Sequence, residues 1–177
     1  MSILDTLFSV IDMRSFSNLW YWIALAVTWS SASHWVLGVP FDMVLRARRK
    51  GGQAGVELVA MTRVSVTRIL TIWRDGGMLL AVMVPFILTT LLILGFGYGA
   101  EFAQATVLIL LPLACVGLLS LRAAGRLEAT LKAEPDPDDI AKALAYHRLK
   151  IQAIGILAIV VTALWGMIQN FRLWTFG

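Results

Sequence analysis

Four stretches of this chain carry no Asp, Glu, Lys or Arg: residues 15–41, 76–100, 102–121 and 151–171. They hold 27, 25, 20 and 21 residues, and about 20 apolar residues suffice to cross the ~30 Å hydrocarbon core of a bilayer. More than half of the chain is therefore suited to lipid. Composition agrees, at 59% hydrophobic and 15% charged against ~45–50% and ~25% in a soluble domain. A soluble fold and a disordered chain are both excluded. Inside lipid each backbone N–H and C=O must find a partner within its own segment, which for stretches of this kind means helices. The predicted fold class is all-α: an integral membrane bundle of four transmembrane helices with a cytoplasmic amphipathic helix.

Orientation follows from the bases, which favour the cytoplasmic side of a membrane. Of the 15 Lys and Arg residues, 13 lie in two connections. The first holds Arg46, Arg48, Arg49, Lys50, Arg63, Arg68 and Arg74, and the second Arg122, Arg126, Lys132, Lys142, Arg148 and Lys150. The turn between the second and third stretches has only Glu101. Both connections are expected in the cytoplasm and both termini in the periplasm. Location thus explains the net charge of +4, and no nucleic-acid partner is called for.

Along the chain, residues 1–16 read as a periplasmic interfacial helix, with Ile3, Leu4, Leu7, Val10 and Ile11 at helical spacing. The first span takes 17–40, its outer end marked by Trp20, Tyr21 and Trp22 and its inner end by Gly38, Val39 and Pro40. A cytoplasmic basic loop over 41–76 follows. Its run Arg46, Arg48, Arg49 and Lys50 suits anionic headgroups. Gly51 and Gly52 then break the chain before an amphipathic helix over 54–73. There Leu58, Val59, Thr62, Val66, Ile69, Leu70 and Trp73 fill one arc, opposite Glu57, Thr67, Arg68 and Thr71, with Arg63 and Arg74 at the border. That arc fits either the membrane surface, with the arginines snorkelling, or the protein's own spans.

Asp75, Gly76 and Gly77 are expected to stop this helix before a second span over 77–98, kinked at Pro85. The third span is 102–121, and its helix is expected to continue to Leu131. In the linker and helix of 122–150, Asp136 offers an N-cap and Pro137 suits the first helical position. Nothing breaks the helix from there through the fourth span, 151–170.

Chemistry has few places to reside. Cys115 is the only cysteine, so an internal disulfide or a Cys-based metal site is excluded. No metal site, cofactor or catalytic residue is predicted, because no hydrolase, zinc or P-loop pattern occurs. No span keeps a charged residue, which weakens a small transporter. His34 shares a helical face with Ser30 and Ser31 near the inner end of the first span. It could serve as a cofactor ligand to haem or pigment, or as a packing group bonded to hydroxyls. His147 lies on the same side. Small residues recur every four positions as Ala24, Thr28 and Ala32 in the first span and as Ala158, Thr162 and Gly166 in the fourth. Such stripes predict close packing of these two spans.

The segments Arg14-Ser-Phe-Ser-Asn-Leu-Trp-Tyr-Trp, Ala32-Ser-His-Trp-Val-Leu-Gly-Val-Pro-Phe-Asp42 and Thr162-Ala-Leu-Trp-Gly-Met-Ile-Gln-Asn170 resemble a group of small alphaproteobacterial inner-membrane proteins labelled "component of SufBCD complex". The resemblance implies a bacterial inner membrane and no established catalytic role. With a single cysteine and no P-loop, such a protein could at most tether an iron–sulfur assembly machine. The function expected is that of a non-catalytic accessory, assembly or scaffolding subunit. Its expected partners are anionic lipid headgroups and other membrane or membrane-associated proteins. The alternative is a pigment- or haem-binding subunit using His34.

Overall fold

The computed structural model describes the backbone of residues 15–133 and 135–176, and the side chains from 16 to 171 apart from 134. The interfacial helix expected over 1–16 lies almost wholly outside the described residues. A 3-10 turn, Ser15–Ser17, leads into helix α1, Leu19–His34. Strands β1, Trp35–Val36, and β2, Val39–Pro40, form a hairpin. Helices α2, Phe41–Lys50, and α3, Gly52–Leu92, follow. A π-helical turn, Ile93–Gly97, then leads to α4, Glu101–Lys132, and α5, Pro137–Phe176. Apart from the hairpin and short connections, the described residues are helical. Among the described residues three helices are long and apolar enough to cross a membrane: Gly52–Gly97, Glu101–Lys132 and Pro137–Phe171.

The first charge-free stretch departs from expectation. Asn18 caps α1 through its side chain, which accepts from the Trp20 N–H at 2.9 Å. The helix then stops at His34 instead of running through 40, so its 16 residues span only about 24 Å. The cause is a two-residue hairpin turn in which Leu37 and Gly38 both take positive φ, 55° and 77°, as a type I′ turn requires. Leu37 bears a conformation that branched apolar residues rarely adopt. Burial offsets that cost: Val36, Leu37 and Val39 are 0%, 3% and 0% exposed. These three residues are core, not lipid contacts.

That core is the larger of two and joins the basic half of the molecule. Val44 and Ala47 of α2, Leu58 and Val66 of α3, Ala124, Leu127 and Leu131 of α4, and Ile140 and Leu144 of α5 close around the hairpin. Burying each large side chain contributes ~1.5–3 kcal/mol, which holds α2 and the near ends of three long helices together. The apolar arc of 54–73 is spent here, packed on the protein itself. Ser65 reaches the hairpin, donating to the Gly38 carbonyl at 3.4 Å.

No break separates that arc from the membrane. Helix α3 runs unbroken for 41 residues through Gly76, Gly77 and Pro85, correcting the predicted stop at 75–77. A glycine costs a helix ~1 kcal/mol without forbidding it, and Gly77 lies under the Trp73 ring, where a Cβ would approach to 2.9 Å. At α5 the N-terminus forms as expected. Asp136 caps it, its carboxylate accepting from the Asp138 N–H at 3.0 Å.

The second core gathers Leu25 and Trp29 of α1, Val116 of α4, and Ile151 and Ala158 of α5. Helix α1 runs antiparallel along α5. Phe16 lies against Gly166, Trp29 against Gly155, and Ser33 is bonded to Arg148. The Trp29 ring sits so close that a Cβ on Gly155 would stand 2.8 Å from it. Of the predicted small-residue stripes, that of α5 is buried at Ala158, Thr162 and Gly166. On α1, Ala24 is exposed and Thr28 and Ala32 are half-buried. The α1 ridge is instead Leu25 and Trp29, large residues set into the small-residue groove of α5.

Candidate interaction surfaces

Each long helix crosses from the apolar bundle into the basic half without a break, so distance along it measures depth. Within nine residues of the charge-free stretches the two connections carry 11 bases and three acids, Asp42, Asp75 and Glu128. Beyond that they carry two bases, Arg63 and Lys132, and five acids. The far end is where α3 and α5 begin: a Cβ on Gly55 would stand 2.9 Å from Pro137. The result is a basic rim next to the apolar bundle and an acidic tip away from it. Such a rim matches an anionic headgroup layer, whose attraction fades within a Debye length.

In the basic half the predicted lipid- or partner-binding residues divide. Arg46, Arg48, Arg49 and Lys50 occupy the exposed face of α2, with Arg46 paired to Asp42 at 3.4 Å. Arg68 is exposed on α3. Arg63 donates to the Leu131 carbonyl at 3.1 Å, satisfying an otherwise open acceptor at the end of α4. Trp73 covers Gly77 on its own helix and remains 38% exposed. Glu128 accepts from both Lys132 and Arg74, at 3.1 and 3.2 Å. One base that charge alone does not single out ties the rim together. Arg148 donates from Nε to the Ser33 carbonyl at 3.1 Å and lays its guanidinium over the Phe41 ring at 3.9 Å.

The two histidines part company. His147 is 4% exposed, with Nε2 3.1 Å from the Ser120 hydroxyl. His34 ends α1, is exposed, and meets the Trp35 ring edge-on. It makes no hydrogen bond to Ser30 or Ser31, so its predicted packing role through hydroxyls is not how the side chain is held. Among the described residues no three His, Cys, Asp or Glu side chains gather as a metal site would require.

At the opposite end lies a polar cluster that sequence patterning does not expose. Gln104 is 4% exposed. Its Nε2 donates to the Gly95 carbonyl at 2.7 Å, and its Oε1 accepts from Trp165 Nε1 at 3.0 Å and Gln169 Nε2 at 2.8 Å. One amide thereby ties the π-turn, α4 and α5. Glu101 accepts from the Phe16 N–H at 2.8 Å, and Ser17 donates to Asn170 at 3.0 Å, fastening the start of α1 to the same end. A lone amide in a charge-free stretch, facing Trp165 and Gln169 four apart on another helix, was the available signal.

Between α1 and α5, on the basic side of the bundle, a cleft of about 440 Å³ opens sideways. The membrane part of α3 is the least covered element. From 78 to 94 only Leu88 and Leu91 are even half-buried. Comparison with known proteins finds no matching family, no matching curated relative and no matching solved structure.

Proposed function

We propose that the chain is a four-span bacterial inner-membrane protein that acts as a non-catalytic accessory, assembly or scaffolding subunit. In this reading α1 is the fourth, short span. Its support is the antiparallel match of α1 with α5: the contacts Phe16–Gly166, Trp29–Gly155 and Ser33–Arg148 carry it over the same depth as the charge-free part of α5. The basic rim then faces anionic headgroups on the cytoplasmic side, and both termini are periplasmic.

One observation carries the partner-binding role. Residues 78–94 of α3 present apolar side chains on almost every face, including Met78 at 87%, Leu79 at 66% and Phe86 at 62% exposure. The helix is covered by its own chain at its ends, in the basic-side core and at Gly95 against Gln104. A membrane helix uncovered along its middle is suited to pack against a helix of another subunit, where van der Waals contact drives association. Copurification of the chain from its native membrane, read by mass spectrometry, tests this. Stoichiometric membrane subunits are expected, and their contacts should be lost when Met78, Val82 and Phe86 are changed together to Trp. Recovery of the chain alone from mild detergent would refute it.

The second reading, a pigment- or haem-binding subunit, draws on His34. Its ring is exposed at the membrane boundary and makes no hydrogen bond among the described residues, so a ring nitrogen is available to a metal.

A further inference from the structure

We propose that the cleft between α1 and α5 holds one anionic phospholipid from the leaflet on the basic side of the molecule. The cleft is lined by Trp29 and Ser33 of α1 and by Leu149, Gln152, Gly155 and Ile159 of α5. Trp29 and Gly155 are buried and form its floor, whereas Leu149 is 60% exposed and its neighbour Ile156 65%. Its open edge is therefore apolar and, on the proposed reading of α1 and α5 as spans, faces the bilayer.

Its length and polarity identify the occupant. Leu149 to Ile159 is ten residues of helix, about 15 Å, and half of a ~30 Å hydrocarbon core is one leaflet. The deep part is apolar and suits an acyl chain. The shallow end carries Ser33 and Gln152, and Arg148 is bonded to that Ser33. Arg148 spends Nε on the Ser33 carbonyl and one face of its guanidinium on the Phe41 ring. Its remaining N–H donors have no other partner among the described residues and are held beside Ser33, a residue of the shallow end, in the fork that binds phosphate. The acid on the adjoining helix, Asp42, is already paired with Arg46. A single acyl chain entering apolar-end first, with a phosphate beside Ser33 and Arg148, matches the apolar depth and the polar shallow end of the cleft. Partner docking on α3 is a separate matter, and either proposal can fail alone.

Native mass spectrometry of the full chain tests the site, after reconstitution with equal phosphatidylglycerol and phosphatidylethanolamine and mild delipidation. The wild type should keep one phospholipid, with phosphatidylglycerol favoured at least fivefold. Ala153 lies on the exposed edge of the cleft, so Ala153→Trp should fill it and cut retention at least tenfold. Leu118→Trp, an exposed position on α4, should retain lipid as the wild type does. Arg148→Gln should keep the lipid but lose the headgroup preference, and Arg148→Lys should restore most of it. Should Ala153→Trp fail to fold, Ile156→Trp blocks the same opening. Retention no greater in the wild type than in the blocked variant would overturn the proposal. So would equal retention of both headgroups, or a dimer whose formation the blocking substitution abolishes.

Discussion

Gln104 satisfies three polar groups on two other elements from one buried side chain. Hydrogen bonds between membrane helices contribute ~0.6 kcal/mol each on average, so Gln104→Leu should destabilise the folded protein by ~2 kcal/mol. Thermal unfolding in detergent should show a lower midpoint, and a midpoint unchanged within error would mean the three bonds contribute nothing. His34 makes the contrasting case. With an exposed ring and only the Trp35 edge against it, His34→Gln should shift stability by no more than ~0.5 kcal/mol. It should also leave the absorption spectrum of the purified protein unchanged. A visible band present in the wild type and missing from His34→Gln would instead establish the ligand role.

At the scale of elements, the two glycines inside α3 test whether it is one helix. Gly76 has no atom within 4 Å of where a Cβ would stand, whereas at Gly77 the Trp73 ring is 2.9 Å away. In a continuous helix Gly76→Ala removes a residue that costs ~0.5–1 kcal/mol relative to alanine, so the melting point should rise. Gly77→Ala should gain less, because Trp73 must move, and its fluorescence should shift. If the chain broke at these residues, Gly76→Ala would not stabilise it. The long helices were largely legible in the sequence, since a long charge-free stretch marks an apolar segment wherever it occurs. The hairpin was not. Val36, Leu37 and Val39 are as apolar as a span requires, and periodicity cannot tell a residue facing lipid from one facing a protein core. The 54–73 arc was ambiguous for the same reason, because membrane surface and protein core reward the same amphipathic pattern. The rim bases were legible from charge counts, but the Arg148 bridge depends on Ser33 and Phe41, more than 100 positions away in the chain.

For the whole molecule, the separation of a tightly packed basic half from a more open bundle sets where a protease can act. Trypsin needs an accessible Lys or Arg in chain that can leave its helix locally, and local opening is easiest where few apolar contacts hold the backbone. The run Arg48, Arg49 and Lys50 meets that condition. It is exposed, it ends α2, and Gly51 follows at φ 57°. Arg63 and Arg148, bonded to the backbone of neighbouring elements, lie in helices anchored by the larger core and should resist. In the proposed orientation, which puts both connections in the cytoplasm, inside-out vesicles should give an early cut next to Gly51, leaving two large fragments that stay associated through that core. Sealed right-side-out vesicles should show trimming only at Arg14 or Arg172, the two bases outside the connections. The cut beside Gly51 appearing in right-side-out vesicles would reverse the proposed orientation. Early cutting at Arg148 in inside-out vesicles would show instead that the basic half opens more readily than its buried residues indicate.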